Sequence, residues 1–432
     1  LTGQSFIWMA VCQAYGADEM NVAVVGAGIA GLAVAVGLEE AGHNVTVYEA
    51  ASNLGGRMSS VEFDKYPIDN GFHVLHTAYP TVKRWINLEG LESKPMDPCT
   101  VSIDPLSGRR RIMGDALKAP RYLFPTLKAV GIRDGMRFLK WRVQTSSKDL
   151  ERSLDSESPD IETGLKNRRF RPSTQRVLKP LFAGITLDPS LSERFSFADF
   201  TWGAMAHGKM VVPRNGIGAV PHQLADRLTK TTVHLDTKVD SVSQHHVCVN
   251  GEHVEYERVI LATPQHVTQE LLSGYEVAHE TTERLTSTVV FSTPTAPFRQ
   301  ARLLLNERWG EDGRKVLHVH VPTNLHPSPG GHHFVIATLV GPDAMNPSPP
   351  EIQNELVSWF GAQVNDWSHV LTTKVRHALP HIDPGHHSRA FSEIEFDGVF
   401  LVGDHRAHPS VQGALASAER LLEHFEIPLP HR

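Results

Sequence analysis

Residues 21–50, NVAVVGAGIAGLAVAVGLEEAGHNVTVYEA, restrict the fold more than any other part of the chain. Val22 to Val25 form an unbroken apolar run, the pattern of a parallel strand covered on both faces. Gly26, Gly28 and Gly31 follow at once with the spacing G-x-G-x-x-G. The first glycine allows a tight turn, the second lets a pyrophosphate approach the backbone, and the third lets the next helix pack close to the strand. A helix that starts there offers unpaired amides and a partial positive charge to phosphate. A second strand, Val45 to Tyr48, ends on Glu49, which is placed to accept hydrogen bonds from a ribose. Strand, turn, helix, strand and acid all agree, so the chain opens with an α/β unit for a dinucleotide. The motif alone does not separate NAD from FAD.

The residues after Glu49 make that separation. EAASNLGGR holds the backbone near the phosphates: Gly55 and Gly56 permit close approach, and Arg57 offers a forked cation. A nicotinamide dinucleotide extends its far ring into a neighbouring domain and needs no second clamp, whereas a buried FAD must be held along its length. Residues 26–57 resemble the FAD signature of the flavin-containing amine oxidase and phytoene desaturase superfamily, GxGxxGLxxAxxLxxxGxxVxVxE followed by GGR. Leu32, Ala35, Leu38, Gly42, Val45, Val47 and Glu49 all stand in register with it. The resemblance covers roughly residues 20–427. It implies FAD as cofactor, and an α/β fold in which a discontinuous Rossmann-type FAD-binding domain carries a mixed α+β substrate domain.

With 432 residues and about 100–200 per domain, two or three units are expected. The FAD-binding domain is expected from residues 20–85, 205–268 and 390–430, and the substrate domain from 86–204 and 269–389. Residues 1–19 read as an unstructured extension, since their short apolar stretch has no preceding Lys or Arg and so makes a poor signal peptide. In YPIDNGFHVLHTAYP, residues 66–80, the resemblance places Gly71 against the flavin ring and lets His73 and His76 face the substrate. A histidine beside aromatics is more often simply packed. Further on, VVPRNGIGAVPHQLADRL reads as a glycine turn before a helix opened by Pro221, TVHLDTKVDSVSQ as a strand, and VCVNGEHVEYE as a hairpin turning on Asn250 and Gly251. By resemblance, the backbone near Val239 meets adenine. GIGAVP lacks a preceding strand and a third glycine, so no separate NADPH domain is expected.

The last piece is VFLVGDHRAHPSVQGALASAERLLEHF, residues 399–425. A buried strand leads to Gly403 and Asp404, whose carboxylate can hold ribityl or phosphate-side hydroxyls. A helix follows with Val411, Leu415, Ala418, Leu422 and Phe425 on one stripe. The superfamily's C-terminal FAD motif is similar, with Gly403, Asp404, Gly413 and Ala414 matching.

The resemblance implies transfer of hydride from a substrate C–H bond to flavin N5, with dioxygen or a quinone as acceptor. Amine-oxidising members carry a lysine near the flavin and an aromatic pair around the amine. Here no Lys lies between Arg258 and Lys315, and Ser410 occupies the second aromatic's place. DNGFHVLHTAYP instead leans toward the branch acting on isoprenoid-like hydrocarbons, so a small lipophilic substrate is expected. A redox-neutral flavin isomerase and an amine oxidase remain alternatives. The catalytic residues are not assigned by sequence.

A net charge of −6 argues against nucleic acid as partner. One segment departs from that balance: residues 109–142 carry ten basic side chains against Asp115 and Asp134, interleaved with Tyr122, Leu123, Phe124, Phe138 and Trp141. Such a segment suits either a solvated helical face or peripheral contact with an anionic membrane. Cys12, Cys99 and Cys248 form no pair or framework, which fits a reducing, cytoplasmic setting and gives no cysteinyl flavin link near the C-terminal motif. His318 and His320 share a strand face, but no carboxylate or Cys stands at ligand spacing, so no metal site is expected.

Overall fold

The computed structural model describes residues 19–146, 149, 150, 154, 157–272, 274, 284–381 and 394–430. The expected extension lies almost wholly outside them, as does Cys12.

Strand β1 (Asn21–Val25) turns at Gly26 into helix α1 (Ile29–Glu40), which returns to β2 (Asn44–Tyr48). Strands β3 (Thr232–His234), β4 (Arg258–Leu261), β5 (Glu395–Phe396) and β6 (Val399–Leu401) complete a six-stranded sheet in the order β3-β2-β1-β4-β6-β5. All neighbours are parallel except β5, which pairs antiparallel with β6 at the edge. The chain runs outward from β1 through β2 to β3, then resumes on the other side of β1 with β4. This reversal leaves a crevice beyond the carboxyl ends of β1 and β4, where open α/β sheets bind ligands.

Helix α1 is buried from Ile29 to Leu38 because it lies between the sheet and the last helix, α2 (Val411–His424). Two glycines allow this sandwich. A Cβ on Gly31 would fall 2.0 Å from the Gly26 carbonyl oxygen, and one on Gly37 would fall 2.5 Å from a Leu422 methyl. The sheet's other face is covered by an antiparallel meander, Val239–Ser243, His246–Val249 and Glu252–Glu255, through Val239, Val247 and Tyr256. Its second turn uses left-handed Asn250 and Gly251, as the hairpin reading required.

Two local expectations need correction. TVHLDTKVDSVSQ is two strands: β3 ends after three pairs, the chain turns at left-handed Asp236, and Val239–Ser243 leaves for the meander. The turn is fixed by Asp236 N–H donating to the Ala51 carbonyl and Thr237 N–H donating to that of Glu49. Pro221 does not open its helix, which starts two residues earlier in Ala219–Ala225.

Beside this unit stands a seven-stranded sheet, ordered Ser368–Leu379, Arg284–Thr293, His333–Val340, His318–His320, Leu303–Asn306, Cys99–Asp104, Arg109–Gly114. It is antiparallel except where Leu303–Asn306 meets Cys99–Asp104. Helix Pro349–Phe360 covers one face, burying Ile352, Leu356, Trp359 and Phe360. A second apolar cluster, which includes Trp141, Phe170, Phe182 and Phe195, joins helices Leu123–Ser146, Pro172–Thr186 and Phe195–His207 to the far end of the sheet. A two-stranded hairpin, Ser60–Phe63 and Tyr66–Asp69, links the two units: just past it, the Asn70 carbonyl accepts from Thr373 Oγ1 of the seven-stranded sheet.

Candidate functional site

The crevice is built from segments far apart in sequence. Gly26, with φ +106°, turns the chain where a side chain would fall 2.8 Å from the Ala262 carbonyl oxygen. Gly28 precedes α1 as its N-cap without offering a capping side chain, so the first-turn amides stay available. A Cβ on Gly28 would meet nothing within 4 Å, while one on Gly56 would sit 3.7 Å from the Gly28 Cα. The second glycine turn thus packs against the first, and the space open to a ligand lies on the side to which a Gly28 Cβ would point. The two turns are also tied: Gly55 and Gly28 form a parallel bridge, with Gly55 N–H donating to the Ala27 carbonyl at 2.9 Å. Glu49 accepts from the amides of Ala27 (2.8 Å) and Ala51 (2.9 Å), which fixes its carboxylate at the mouth of the turn.

Arg57 reaches the C-terminal motif. Its guanidinium donates to both Asp404 oxygens, at 2.8 and 2.6 Å, and to the Ala378 carbonyl at 3.0 Å. This forked pair joins residues 347 positions apart, and Asp404 is buried. The neighbouring His405 is also buried, and neither ring nitrogen has a hydrogen-bond partner. Burial drives its pKa down to about 4, so the ring is neutral at pH 7. Arg57, Asp404 and His405 line a cleft of about 390 Å³, together with Pro264, His266 and His377.

The remaining expected positions divide. Gly71 lies beside the seven-stranded sheet, with a Cβ there only as close as 3.9 Å to a Val375 methyl. Val239 is buried in the meander, against Tyr48 and Tyr256. Gly403 has φ +142° and ends β6 beside the Ser417 hydroxyl, which accepts from its amide at 2.8 Å. Gly413 is explained by packing, since a Cβ there would fall 2.0 Å from the His408 carbonyl oxygen. Its amide donates to Ser410 Oγ, the N-cap of α2. Ala414 is buried in the first turn behind it.

His73 and His76 are both buried. His76 Nδ1 accepts from the Ala78 amide, a packed histidine's role. His73 stacks on His320 of the seven-stranded sheet, with ring centroids 3.4 Å apart and planes within 7°. They border a small pocket that is also lined by Tyr66, Asp69, Val212, Arg214, Pro322 and Ile336. His73 Nε2 and both nitrogens of His320 lack partners. Burial, assisted by His318, lowers the His73 pKa to about 3, and His320 lies well below its ordinary value for the same reason. Asp69, accepting from Ser60 Oγ (2.6 Å) and the Ile217 amide (2.8 Å), is pushed up by burial to about 6. Among the described residues no group of three His, Cys, Asp or Glu is placed to hold a metal.

These features fit an elongated phosphate-bearing cofactor: an open slot beside two packed glycine turns, uncapped helix amides, a forked cation, and orphaned imidazoles further along. Sequence reasoning missed His405 and the pairing of His73 with His320. The first had a signal, its position directly after Gly403 and Asp404. The second had none, because it depends on how the two units meet.

Comparison with known proteins agrees with this architecture. The family described as flavin containing amine oxidoreductase matches residues 29–421. A zeta-carotene desaturase of Synechocystis is 51% identical over 61 residues, 14% of this chain and 12% of that protein. A 4,4'-diapophytoene desaturase of Staphylococcus aureus is 44% identical over 52 residues, 12% of this chain and 10% of that protein. Each match therefore spans only about an eighth or less of the relative's own length. Among solved structures, an oxidoreductase from Methanosarcina mazei is similar with a TM-score of 0.73 at 16% identity, covering 94% of this chain and all of that one. Putrescine oxidase bound to putrescine gives 0.69 at 18% identity, over 95% and 99% of the two chains.

Proposed function

Because the chain belongs to the flavin containing amine oxidoreductase family, it is an FAD-dependent oxidoreductase, and we propose that it removes hydride from a C–H bond of a neutral, lipophilic, isoprenoid-like substrate. In this reading Gly26, Gly28, Gly31 and the start of α1 hold the pyrophosphate, and Glu49 holds the ribose. The Val239 backbone meets adenine. Gly55, Gly56 and Arg57 close over the phosphates, Gly71 adjoins the ring, and Gly403, Asp404, Gly413 and Ala414 support the ribityl and pyrimidine side. When bound, FAD supplies the hydride-accepting centre.

The observation that carries the substrate class is the chamber walled by His73 and His320, two buried imidazoles that stay neutral at pH 7. Neither offers charge to an ammonium or a carboxylate. Their aromatic faces, with Tyr66, Val212 and Ile336, give an apolar chain surface to pack on, while Asp69 and Arg214 line the same pocket and supply its polar side. The names of the two desaturases, each matched over a short stretch of 61 or 52 residues, support the same class. Amine oxidation shares the family's name but is disfavoured here, because Ser410, at the expected aromatic's place, serves as the N-cap of α2. The electrons pass on to dioxygen or a quinone. A cytoplasmic setting with peripheral membrane contact through residues 109–142 belongs to the same proposal; no helix among the described residues is long and apolar enough to cross a membrane.

The test is anaerobic mixing of the FAD-loaded protein with isoprenoid lipids and, separately, with simple amines. Bleaching of the oxidised-flavin band by lipids, with an oxidised lipid product, is expected. Bleaching by amines alone would overturn the substrate class. Rearranged but unoxidised lipid, formed with no net change in the flavin's oxidation state, would replace hydride removal with isomerisation.

A further inference from the structure

The exposed apolar side chains are concentrated in one region. Among the described residues, eight of the thirteen large hydrophobic side chains that are exposed lie between Leu106 and Val143, although most of that segment is strongly basic. The helix Leu123–Ser146 bends at Gly131, whose backbone (φ 73°, ψ 163°) leaves the helical region. After the bend, Asp134, Phe138, Trp141 and Thr145 recur at helical spacing and face inward. Ile132, Met136, Leu139 and Val143, at i, i+4, i+7 and i+11, run along the opposite side and are 72, 68, 50 and 55% exposed. Phe124, before the bend, is 79% exposed. Leu127 folds onto Gly135, where a Cβ would lie 2.7 Å from its methyl, so the bend brings the two halves together.

Of the side chains the sequence pattern pointed to, Leu123 and Phe124 are exposed, but Tyr122, Phe138 and Trp141 are in the core, and the outer stripe past the bend is aliphatic. A solvated helical face would carry polar residues there. Instead the stripe is bordered by exposed Lys128, Arg133 and Lys140, none with an ion-pair partner among the described residues. The helix's one acid, Asp134, is buried and engaged by Arg137, Arg171 and Thr174. A two-fold contact with a second copy would press these cations against their own equivalents. An apolar stripe edged by unpaired cations is complementary to an anionic bilayer.

We propose that Leu123–Ser146 is a membrane-docking helix. It lies in the plane of an anionic leaflet, with Ile132, Met136, Leu139 and Val143 at the acyl boundary and Lys128, Arg133 and Lys140 on the headgroups. This does not depend on the substrate or on the direction of the chemistry.

The test is flotation of the FAD-loaded protein with vesicles of phosphatidylcholine, with and without phosphatidylglycerol. Co-flotation with the anionic vesicles is expected. It should weaken about fivefold for each of Lys128→Gln, Arg133→Gln and Lys140→Gln and fall further with added salt. The double variant Met136→Ser/Leu139→Ser should lose flotation with flavin spectrum and melting temperature unchanged, while Val254→Ser, exposed elsewhere, should keep it. Failure to float at low salt, or undiminished flotation of the double variant, would overturn the proposal. So would light scattering that shows a dimer converted to monomer by the double variant, which would assign the face to a second copy.

Discussion

Acidification from pH 7.5 to 5.5 should destabilise the FAD-free protein by an amount comparable to a typical domain's whole stability. Five histidines set most of this: His318 and His405 are held at about 4, and His73, His76 and His408 at about 3, in each case chiefly by burial. His320, also lowered by burial, adds in the same sense. Unfolded, each returns to its ordinary value of 6.5. A depressed pKa contributes stability above the unfolded value and loses it as pH falls, because the unfolded chain takes up protons that the folded chain refuses. At pH 5.5 each ring contributes a loss of about 1.4 kcal/mol, so the five together give about 7 kcal/mol. Asp69 works in the opposite sense. Its folded pKa of about 6 exceeds the ordinary value of 3.8, so the folded state binds the extra proton over this range and regains about 1 kcal/mol. Glu39 and Asp104, both held at about 2, begin to weaken the fold only below pH about 4.5. The net loss is about 6 kcal/mol, against about 5–15 kcal/mol of total stability. Calorimetry in buffers of different ionisation enthalpy would read the melting temperature and the protons taken up on unfolding. Uptake of about four to five protons at pH 5.5, reduced by about one in His408→Gln, is the expected result. A melting temperature that holds or rises between pH 7.5 and 5.5 would refute the reasoning.

Three further outcomes follow from the packing. Gly31→Ala should destabilise the fold by about 3 kcal/mol or more, because its Cβ would collide with the Gly26 carbonyl, whereas Gly28→Ala should leave the denaturation midpoint of the FAD-free protein unchanged. Arg57→Met strands the buried Asp404 carboxylate and should cost about 2 kcal/mol, less than for a fully buried pair because Arg57 is part-exposed. Urea titration of that variant with and without Asp404→Asn should recover part of the loss. Trp141→Ala removes a fully buried ring whose Nε1 donates to Asp199 at 2.6 Å and which stacks on Trp202, and should cost about 3–5 kcal/mol by the same titration.

The N-terminal unit was legible because its signals are local. A continuous apolar strand, three glycines at fixed spacing and an acid after the second strand each have a steric or hydrogen-bonding reason within thirty residues of one another. The C-terminal strand and helix were legible for the same reason. What escaped depends on tertiary contact. Nothing near Arg57 announces that Asp404 will meet it, and nothing near His73 announces His320. The basic segment shows the limit most clearly: its aromatic residues drew attention, yet Phe138 and Trp141 turn inward. Ile132, Met136, Leu139 and Val143 look like core at helical spacing. Only the position of the opposite stripe, packed on the neighbouring helices, reveals that they face out.

The central claim is that FAD lies across the slot beside the two glycine turns, held where Arg57 meets Asp404. The most direct measurement is flavin stoichiometry and affinity for the wild type and for Gly28→Val, whose side chain would occupy that slot. One FAD per wild-type chain, and a folded but colourless variant, is the predicted result. A colourless wild type that refuses added FAD, or a variant that stays yellow at full occupancy, would contradict the account.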